Sequence, residues 1–468
     1  MAASRFAAIA LRNNSMPSPA IRESSALLTD LYELTMAAGY LQTGFDARAT
    51  FELFVRRLPP ERNFLVAAGL AQALDFLENV RFTPEEIDYL RQHPVLRHVR
   101  PEFFDYLARF RFTGEVWAVP EGSVVFANEP LLRVTAPIIE GQLLETRLLS
   151  AINFQTMVAS RAARVVAAAN GRPVVEFGAR RAHGAEAGIF AARASFISGC
   201  QGTSNVFAGH LFGIPTYGTQ AHSWIMAFED ESQAFDRFLD VFPEQATLLL
   251  DTYNVRAALR KIIARGRKPA GVRLDSGDMA DDSRWVRRQL DRAGWRDVQI
   301  FVSGDLDERK IAALLRRGAK IDAFGVGSAL VAPTDARNLS MIYKLVEVER
   351  AGKIREAAKL SESKATYPGR KQVFRFSTAS GKWKGDLIAL ERESPAGGVP
   401  LLVPVMREGK RLAPPEPLTV ARDRCAESVK HLPARCLSLA PAPPYPVRHS
   451  KPLRALLQQV RRRIRKTS

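Results

Sequence analysis

Cysteine is scarce in this chain: Cys200, Cys425 and Cys436 are the only three among 468 residues. Their spacing offers neither a disulfide framework nor a C-x-x-C metal site, so a reducing, cytoplasmic setting is expected. Long apolar runs are missing too. No stretch of about 18 apolar residues occurs, and no helical membrane span is expected. No turn carries G-x-G-x-x-G with a Rossmann-type acidic partner, so a dinucleotide fold is not indicated. No internal repeat of about 20–50 residues is visible, which removes solenoids.

Acidic residues are outnumbered, 49 against 67 Lys and Arg, for a net charge of +18. A basic balance can signal nucleic acid. Here eight of the basic residues lie between Leu437 and Ser468, a tail with no acidic residue, so a net +10 is spread over the rest. The tail has one aromatic, Tyr445, whereas single-strand binding needs aromatics interleaved with the charge. Nucleic acid is therefore not the expected partner, and a cleft that handles several phosphates accounts for a basic chain equally well. With 46% hydrophobic and 25% charged residues the chain is globular. Its length suits two or three packed units, or one barrel with additions.

Residues 1–26 read as a flexible leader. Arg5, Arg12 and Arg22 around Phe6 to Leu11 faintly resemble a transit peptide, but no cleavage-type sequence follows, and Met16 offers an alternative start. Residues 27–150 read as an N-terminal α+β domain. It opens with a helix over Leu27 to Tyr40, for which Thr29 is the expected N-cap, and contains a helix start at Thr83-Pro84-Glu85-Glu86. Residues 151–341 alternate apolar strands with helical stretches: Val174–Phe177, Thr216–Tyr217, Thr247–Leu250, Val272–Leu274, Ile300–Val302 and Ala323–Val326. Each run ends in small or polar residues, which implies parallel strands with a site at their carboxyl ends. The fold class expected is α/β: an irregular α/β barrel with a strand-rich α+β domain formed by N-terminal and C-terminal segments. Residues 342–436 return to strand patterns that pack on the N-terminal domain. Residues 437–468 form a basic tail, with a stiff Pro-rich linker over Ala440–Pro446 and helical spacing of Leu453, Leu456, Leu457, Val460 and Ile464.

The chemistry-bearing residues sit where those strands end. His222 lies in Gly218-Thr219-Gln220-Ala221-His222-Ser223, among small residues that leave its ring accessible; an isolated loop histidine is more often only hydrogen-bonded. Arg180 and Arg181 follow Glu176-Phe177-Gly178, and guanidinium groups match carboxylate and phosphate oxygens in planar fashion. A surface salt-bridge pair is the plainer alternative. Arg273-Leu274-Asp275-Ser276-Gly277-Asp278 places an arginine and two carboxylates around a glycine turn, a set suited to Mg²⁺–phosphate chemistry or a developing positive charge. Ser303-Gly304-Asp305 and Gly325-Val326-Gly327-Ser328 offer glycine turns whose exposed N–H groups can cradle phosphate. Each motif alone is weak.

In their order along the chain these motifs, with Thr29-Asp30-Leu31-Tyr32 and Gly202-Thr203-Ser204-Asn205, closely resemble the nicotinate phosphoribosyltransferases. The resemblance spans about residues 27 to 376 and leaves the leader and tail outside. It implies a type II phosphoribosyltransferase fold, homodimeric with shared active sites. It implies nicotinate, 5-phosphoribosyl 1-diphosphate and ATP as substrates, Mg²⁺ as cofactor, and a place at the first step of NAD salvage. Under it, His222 matches the histidine that ATP phosphorylates, and Asp275 the carboxylate beside the reacting ribose. Phe177 and Tyr32 match the aromatic pair around the pyridine ring, with Tyr32 donated by the second subunit. Arg180, Arg273 and Thr219 match positions near the substrate carboxylate and phosphoribosyl groups. Gly304, Gly327 and Ser328 match the 5′-phosphate cradle. No metal ligand is assigned.

The nearest rival is a nicotinamide-specific enzyme, which carries Asp after Gly-Thr; here Ser204 follows Gly202-Thr203. A carboxylate there would repel an anionic substrate, so nicotinate is favoured. A quinolinate-type enzyme needs no ATP and is shorter. The tail is expected to dock as a short helix remote from catalysis.

Overall fold

The computed structural model describes residues 25–361, 365–440 and 442–467. The leader read from the sequence therefore lies almost wholly outside the described residues, as does Pro441 of the Pro-rich segment.

Three large sheets carry the fold, beside a two-stranded pairing of Leu65–Val66 with Val124–Val125. A seven-stranded antiparallel sheet runs in the order Lys353–Glu356, Met341–Arg350, Arg48–Val55, Pro130–Pro137, Glu115–Ala118, Val403–Arg407, Lys410–Arg411. At its centre Arg48–Val55 is buried along nearly its whole length. It pairs with Met341–Arg350 on one side and Pro130–Pro137 on the other. N-terminal and C-terminal segments thus share one sheet. A second, four-stranded sheet joins Val399–Pro400, Lys371–Ser377, Trp383–Leu390 and Val447–His449.

The third sheet is parallel, in the order Gly202–Thr203, Val174–Glu176, Ala323–Val326, Gln299–Val302, Gly271–Leu274, Thr247–Leu249. Five of these strands coincide with the apolar runs read from the sequence. Gly202–Thr203 is the addition, and Thr216 extends that end through a single parallel bridge to Thr203. Among the described residues no pairing joins Thr216 to Thr247–Leu249, so a seam separates the two ends of the ladder.

The helix Glu145–Ala168 ties the layers together. Its first half gives Leu148, Ile152 and Met157 to the core under the antiparallel sheet; its second half gives Val158, Ala159, Ala162 and Val165 to the core of the parallel sheet. The boundary expected at residue 150 falls inside this helix. Buried charges reinforce the junction. Arg62 pairs with Asp335 at 2.7 Å, and Arg161 reaches both Glu308 and Asp335, at 2.9 and 3.2 Å. Breaking such a pair from one side leaves a buried charge uncompensated.

Three local expectations change. The first described helix is Leu31–Gln42 with Asp30, not Thr29, at its N-cap. The Thr29 hydroxyl goes instead to the Glu33 carboxylate, and Asp30 accepts from Thr146 Oγ1 at 2.6 Å. The Thr83 helix start is as read: Thr83 and Glu86 form a capping box on Pro84–Gln92. Secondly, a helix over Leu418–His431 lies in the stretch read as strands. Thirdly, the Pro-rich stretch expected as a stiff linker is tied to the body of the protein through Tyr445. The Tyr445 ring stacks on Phe126 at 3.8 Å, and its hydroxyl donates to Asp386 at 2.9 Å, beside the buried Arg375–Asp386 pair. Beyond it Val447–His449 adds a parallel strand to Trp383–Leu390. The helix Lys451–Thr467 buries Leu453, Leu457 and Val460, which is the docked helix expected of the tail. No helix among the described residues is long and apolar enough to cross a membrane.

Candidate functional site

The carboxyl ends of the parallel strands converge on one arginine. Arg273 lies in Gly271–Leu274, the second strand from the seam, and its side chain is mostly buried. Its Nε donates to Ser303 Oγ at 2.8 Å, and one terminal nitrogen donates to Thr219 Oγ1 at 2.9 Å. The other terminal nitrogen donates to Asp275 Oδ1 at 2.7 Å. The guanidinium also lies over the Phe177 ring, 5.9 Å from its centroid. Four strand ends are thereby held by one rigid, permanently charged fork.

Asp275 is the carboxylate at the centre. Oδ1 accepts from both Arg273 and the Ser303 hydroxyl, while Oδ2 faces His222 Nε2 at 3.9 Å. Burial alone would raise its pKa. The Ser303 hydrogen bond and the Arg273 charge outweigh that and hold it below the usual aspartate value. The neighbouring Asp278 is used differently. It caps the helix Met279–Arg292 by accepting from the Ala280 and Asp281 N–H groups at 3.1 Å, and it pairs with Arg317. Of the two carboxylates around the Gly277 turn, only Asp275 faces the site.

His222 begins the one-turn helix His222–Met226 just beyond the Thr216 bridge, and its side chain is 42% exposed. Its Nδ1 lies 3.1 Å from Thr252 Oγ1. Thr252 follows Thr247–Leu249, the strand on the far side of the seam. Next to it, Asp251 Oδ2 accepts from Ser276 Oγ and from the Asp275 N–H. Its Oδ1 is buried with no hydrogen-bond partner among the described residues.

Glycine is required at one turn and at one strand position. Gly304 has φ +97°, and a Cβ there would sit 1.9 Å from the Asp275 carbonyl oxygen. A Cβ on Gly325 would meet the Phe177 ring at 2.7 Å, so the missing side chain is what lets the ring lie across the sheet. Gly327 packs on the Phe177 carbonyl and precedes Ser328, the first residue of the short helix Ser328–Val331.

The structure therefore brings together His222, Asp275, Arg273, Thr219, Phe177, Gly304 and Gly327, with Ser328 at the adjoining turn. Arg180 is nearby in sequence, on the turn Ala179–Arg181, but is exposed and makes no hydrogen bond or ion pair among the described residues. Tyr32 stands apart. It is 47% exposed on Leu31–Gln42, where burial and then the Glu145 charge raise its phenol pKa. Four further residues belong to the assembly without a role of their own having been assigned from sequence: Glu176, Asp251, Thr252 and Ser303. Glu176 is fully buried and accepts from Thr203 Oγ1 at 2.6 Å; burial raises its pKa against that bond. Asp251-Thr252 and Ser303 were visible as polar residues after strands, the only signal that could have found them.

Comparison with known proteins matches the chain to three successive family models. Residues 27–153 match the nicotinate phosphoribosyltransferase N-terminal domain, 173–378 the nicotinate phosphoribosyltransferase family, and 395–457 its C-terminal domain. The last match carries the resemblance past residue 376 and into the tail, further than the motifs alone did. A nicotinate phosphoribosyltransferase of Mycobacterium tuberculosis is 46% identical over 428 residues, 90% of each chain. One of Bacillus subtilis is 41% identical over 382 residues, covering 79% of this chain and 77% of the relative. Among solved structures, the human nicotinic acid phosphoribosyltransferase superposes with a TM-score of 0.80 at 28% identity, covering 92% of this chain and 99% of the other.

Proposed function

The chain belongs to the nicotinate phosphoribosyltransferase family, and we propose that the Arg273–Asp275–His222 assembly is where it joins nicotinate to 5-phosphoribosyl 1-diphosphate and couples that step to ATP. The protein is a nicotinate phosphoribosyltransferase enzyme that makes nicotinate mononucleotide for NAD salvage. The observation that carries the site assignment is the ionised Asp275, held by Arg273 and Ser303 with one oxygen still turned to the open side. Loss of diphosphate from C1 of the ribose builds positive charge on the ring as the pyridine nitrogen attacks. A carboxylate fixed in place beforehand stabilises that charge without having to reorganise. Phe177 supplies one face for the pyridine ring, and the unpaired Arg180 is the cation available for the substrate carboxylate. The Ser204 hydroxyl has no hydrogen-bond partner among the described residues, while its N–H donates to the Glu176 carbonyl at 2.9 Å; it puts no negative charge where nicotinate carries one. Gly304, Gly327 and Ser328 present backbone N–H groups to the 5′-phosphate.

His222 is the proposed phosphoryl acceptor from ATP. Its exposure and its approach to Asp275 support this. Mg²⁺ fits as an ion brought in on the diphosphate. Among the described residues no cluster of three or more ligating side chains exists, and Mg²⁺ on phosphates needs only one or two carboxylates. Asp275 Oδ2 and the unpartnered Asp251 Oδ1 are the oxygens to hold it. When bound, the ion offsets the charge gathering on the leaving diphosphate.

We read the parallel sheet as an irregular barrel open at the seam, and the active enzyme as a homodimer with shared sites. Leu28, Leu31, Tyr32 and Met36 form an exposed apolar stripe, and Val206, Phe207 and Leu211 a second one just beyond Ser204. A second copy laying the first stripe on the second would bring its Tyr32 towards the Phe177 side. Turnover of nicotinate against nicotinamide with 5-phosphoribosyl 1-diphosphate, with and without ATP, tests the reading. Equal turnover of both substrates, or no effect of ATP, would overturn it.

A further inference from the structure

The seam gives one residue a task that its sequence motif does not announce. His222 follows Thr216 at one end of the parallel ladder, and Thr252 follows Thr247–Leu249 at the other. Among the described residues no backbone pairing joins those ends, yet His222 Nδ1 and Thr252 Oγ1 lie 3.1 Å apart. This is the one hydrogen bond the imidazole makes among the described residues; Nε2 has only the Asp275 carboxylate, at 3.9 Å. Without Thr252 the ring would be free to turn about its χ2, because terminal sp³–sp² torsions are broad and roughly two-fold.

We propose that Thr252 is a positioning residue for the ATP step: its hydroxyl holds His222 Nδ1 across the seam and so keeps Nε2 turned towards Asp275 as the nucleophile. The inference rests on the reading of His222 as phosphoryl acceptor. In the step it serves, the Nε2 lone pair forms a bond to the γ-phosphorus of ATP as the bond from that phosphorus to the bridging oxygen breaks. ADP leaves with that electron pair, and the ring proton stays on Nδ1, donated to Thr252 Oγ1. A hydrogen bond to the other ring nitrogen fixes the tautomer and orientation of a histidine and so leaves the free nitrogen aimed as the nucleophile. Thr252 does this without a charge. Asp251, one residue earlier, is turned away to the Asp275 N–H and Ser276, so no carboxylate competes for Nδ1.

The test is single-turnover phosphorylation of the full-length enzyme with ATP labelled in the γ-phosphate, on Thr252→Val, Thr252→Ser and His222→Ala. Loss of one well-placed hydrogen bond predicts a rate of phosphoenzyme formation down about tenfold in Thr252→Val. The KM for ATP should move by less than roughly twofold, since the substrate contacts stay. Thr252→Ser restores the hydroxyl and should bring the rate back to within about threefold of the parent, and coupling of ³¹P to ¹⁵N should put the phosphate on Nε2. A parental rate in Thr252→Val, equal impairment of Val and Ser, or phosphate on Nδ1 would each overturn the proposal. If Thr252→Val melts early, Thr252→Ala takes its place, and Ser must still exceed Ala by about tenfold. Label retained by His222→Ala would instead overturn the assignment of His222, and this proposal with it.

Discussion

Removing the Arg273 side chain is the most informative perturbation of the site. In Arg273→Ala four hydrogen bonds are lost at once: those to Ser303 Oγ, Thr219 Oγ1 and Asp275 Oδ1, and a long one of 3.5 Å to the Gln220 carbonyl. The Asp275 bond is charge-assisted and mostly screened from solvent by the arginine's own burial. Hydrogen bonds with an ionised partner contribute about 1.5–3 kcal/mol each; the guanidinium is the donor in all of these, so the contacts to Ser303 and Thr219 belong to the same class, and losses within one network do not add. Asp275 is itself about a quarter exposed, so solvent screening discounts the ionic part. A loss of roughly 2–4 kcal/mol in transition-state stabilisation follows, or about 30- to 1000-fold in kcat/KM. The pH profile adds an independent reading. Asp275 has its pKa lowered in the folded enzyme, by Ser303 first and Arg273 next, against burial. Its ionised form is therefore secured down to a pH below the ordinary aspartate range, and its contribution to stability is lost only as pH falls through that depressed value. Without Arg273 the depression shrinks while burial remains, so the acidic limb of kcat/KM must move to higher pH. Steady-state kinetics with nicotinate across pH, alongside thermal melting to confirm folding, checks both. A folded Arg273→Ala enzyme within about threefold of the parent, with an unmoved acidic limb, would refute the reasoning.

Other outcomes follow from the same geometry. His222→Ala should abolish the acid-labile phosphoenzyme formed from ATP while leaving slow ATP-independent synthesis; persistence of the label in the variant would remove His222 from that role. Mixing inactive Tyr32→Ala with inactive Asp275→Ala should restore part of the activity through hybrid dimers, and no recovery after verified subunit exchange would count against shared sites. Leu457→Ala, which empties a buried position under the tail helix, should destabilise the fold by about 2–4 kcal/mol. It should leave the KM for nicotinate within roughly twofold; denaturant titration and kinetics read the two effects separately, and a large KM change would mean that the tail reaches the site.

The parallel strands were legible because each is a short β-branched or apolar run closed by Gly, Ser or Asp, which is what a doubly covered strand with a polar loop looks like. Gly202–Thr203 was not, since two residues carry no periodicity. The helix Leu418–His431 was missed for a packing reason. Its buried face is Ala421, Cys425 and Ser428, small residues that let it lie close to the parallel core without writing an apolar stripe. Thr29 looked like a cap, but its hydroxyl found the buried Glu33, whose carboxyl is raised to about 6 chiefly by burial. Within the site, residue types were readable and pairings were not. The bonds of Arg273 to Thr219 and of His222 to Thr252 join stretches 54 and 30 residues apart, and no local pattern encodes them. Asp278 was indistinguishable from Asp275 in sequence until its capping bonds and Arg317 showed it to be structural.

The central antiparallel sheet bears on how the chain is made. Arg48 lies opposite Glu349, and Val55 opposite Met341, so the first long strand meets its neighbour only after some three hundred further residues have been synthesised. At roughly 5–20 residues per second a ribosome needs about 15–60 seconds for that stretch. Throughout that interval one edge of the nascent strand, with Phe51, Leu53 and Phe54 along it, has no partner. The parallel sheet, by contrast, closes its pairings within residues 174–326. Biogenesis in vectorial order thus leaves the amino-terminal half waiting while the catalytic half can assemble, and places the interval of greatest exposure to chaperones, and to misassembly with another nascent copy, before residue 341 emerges.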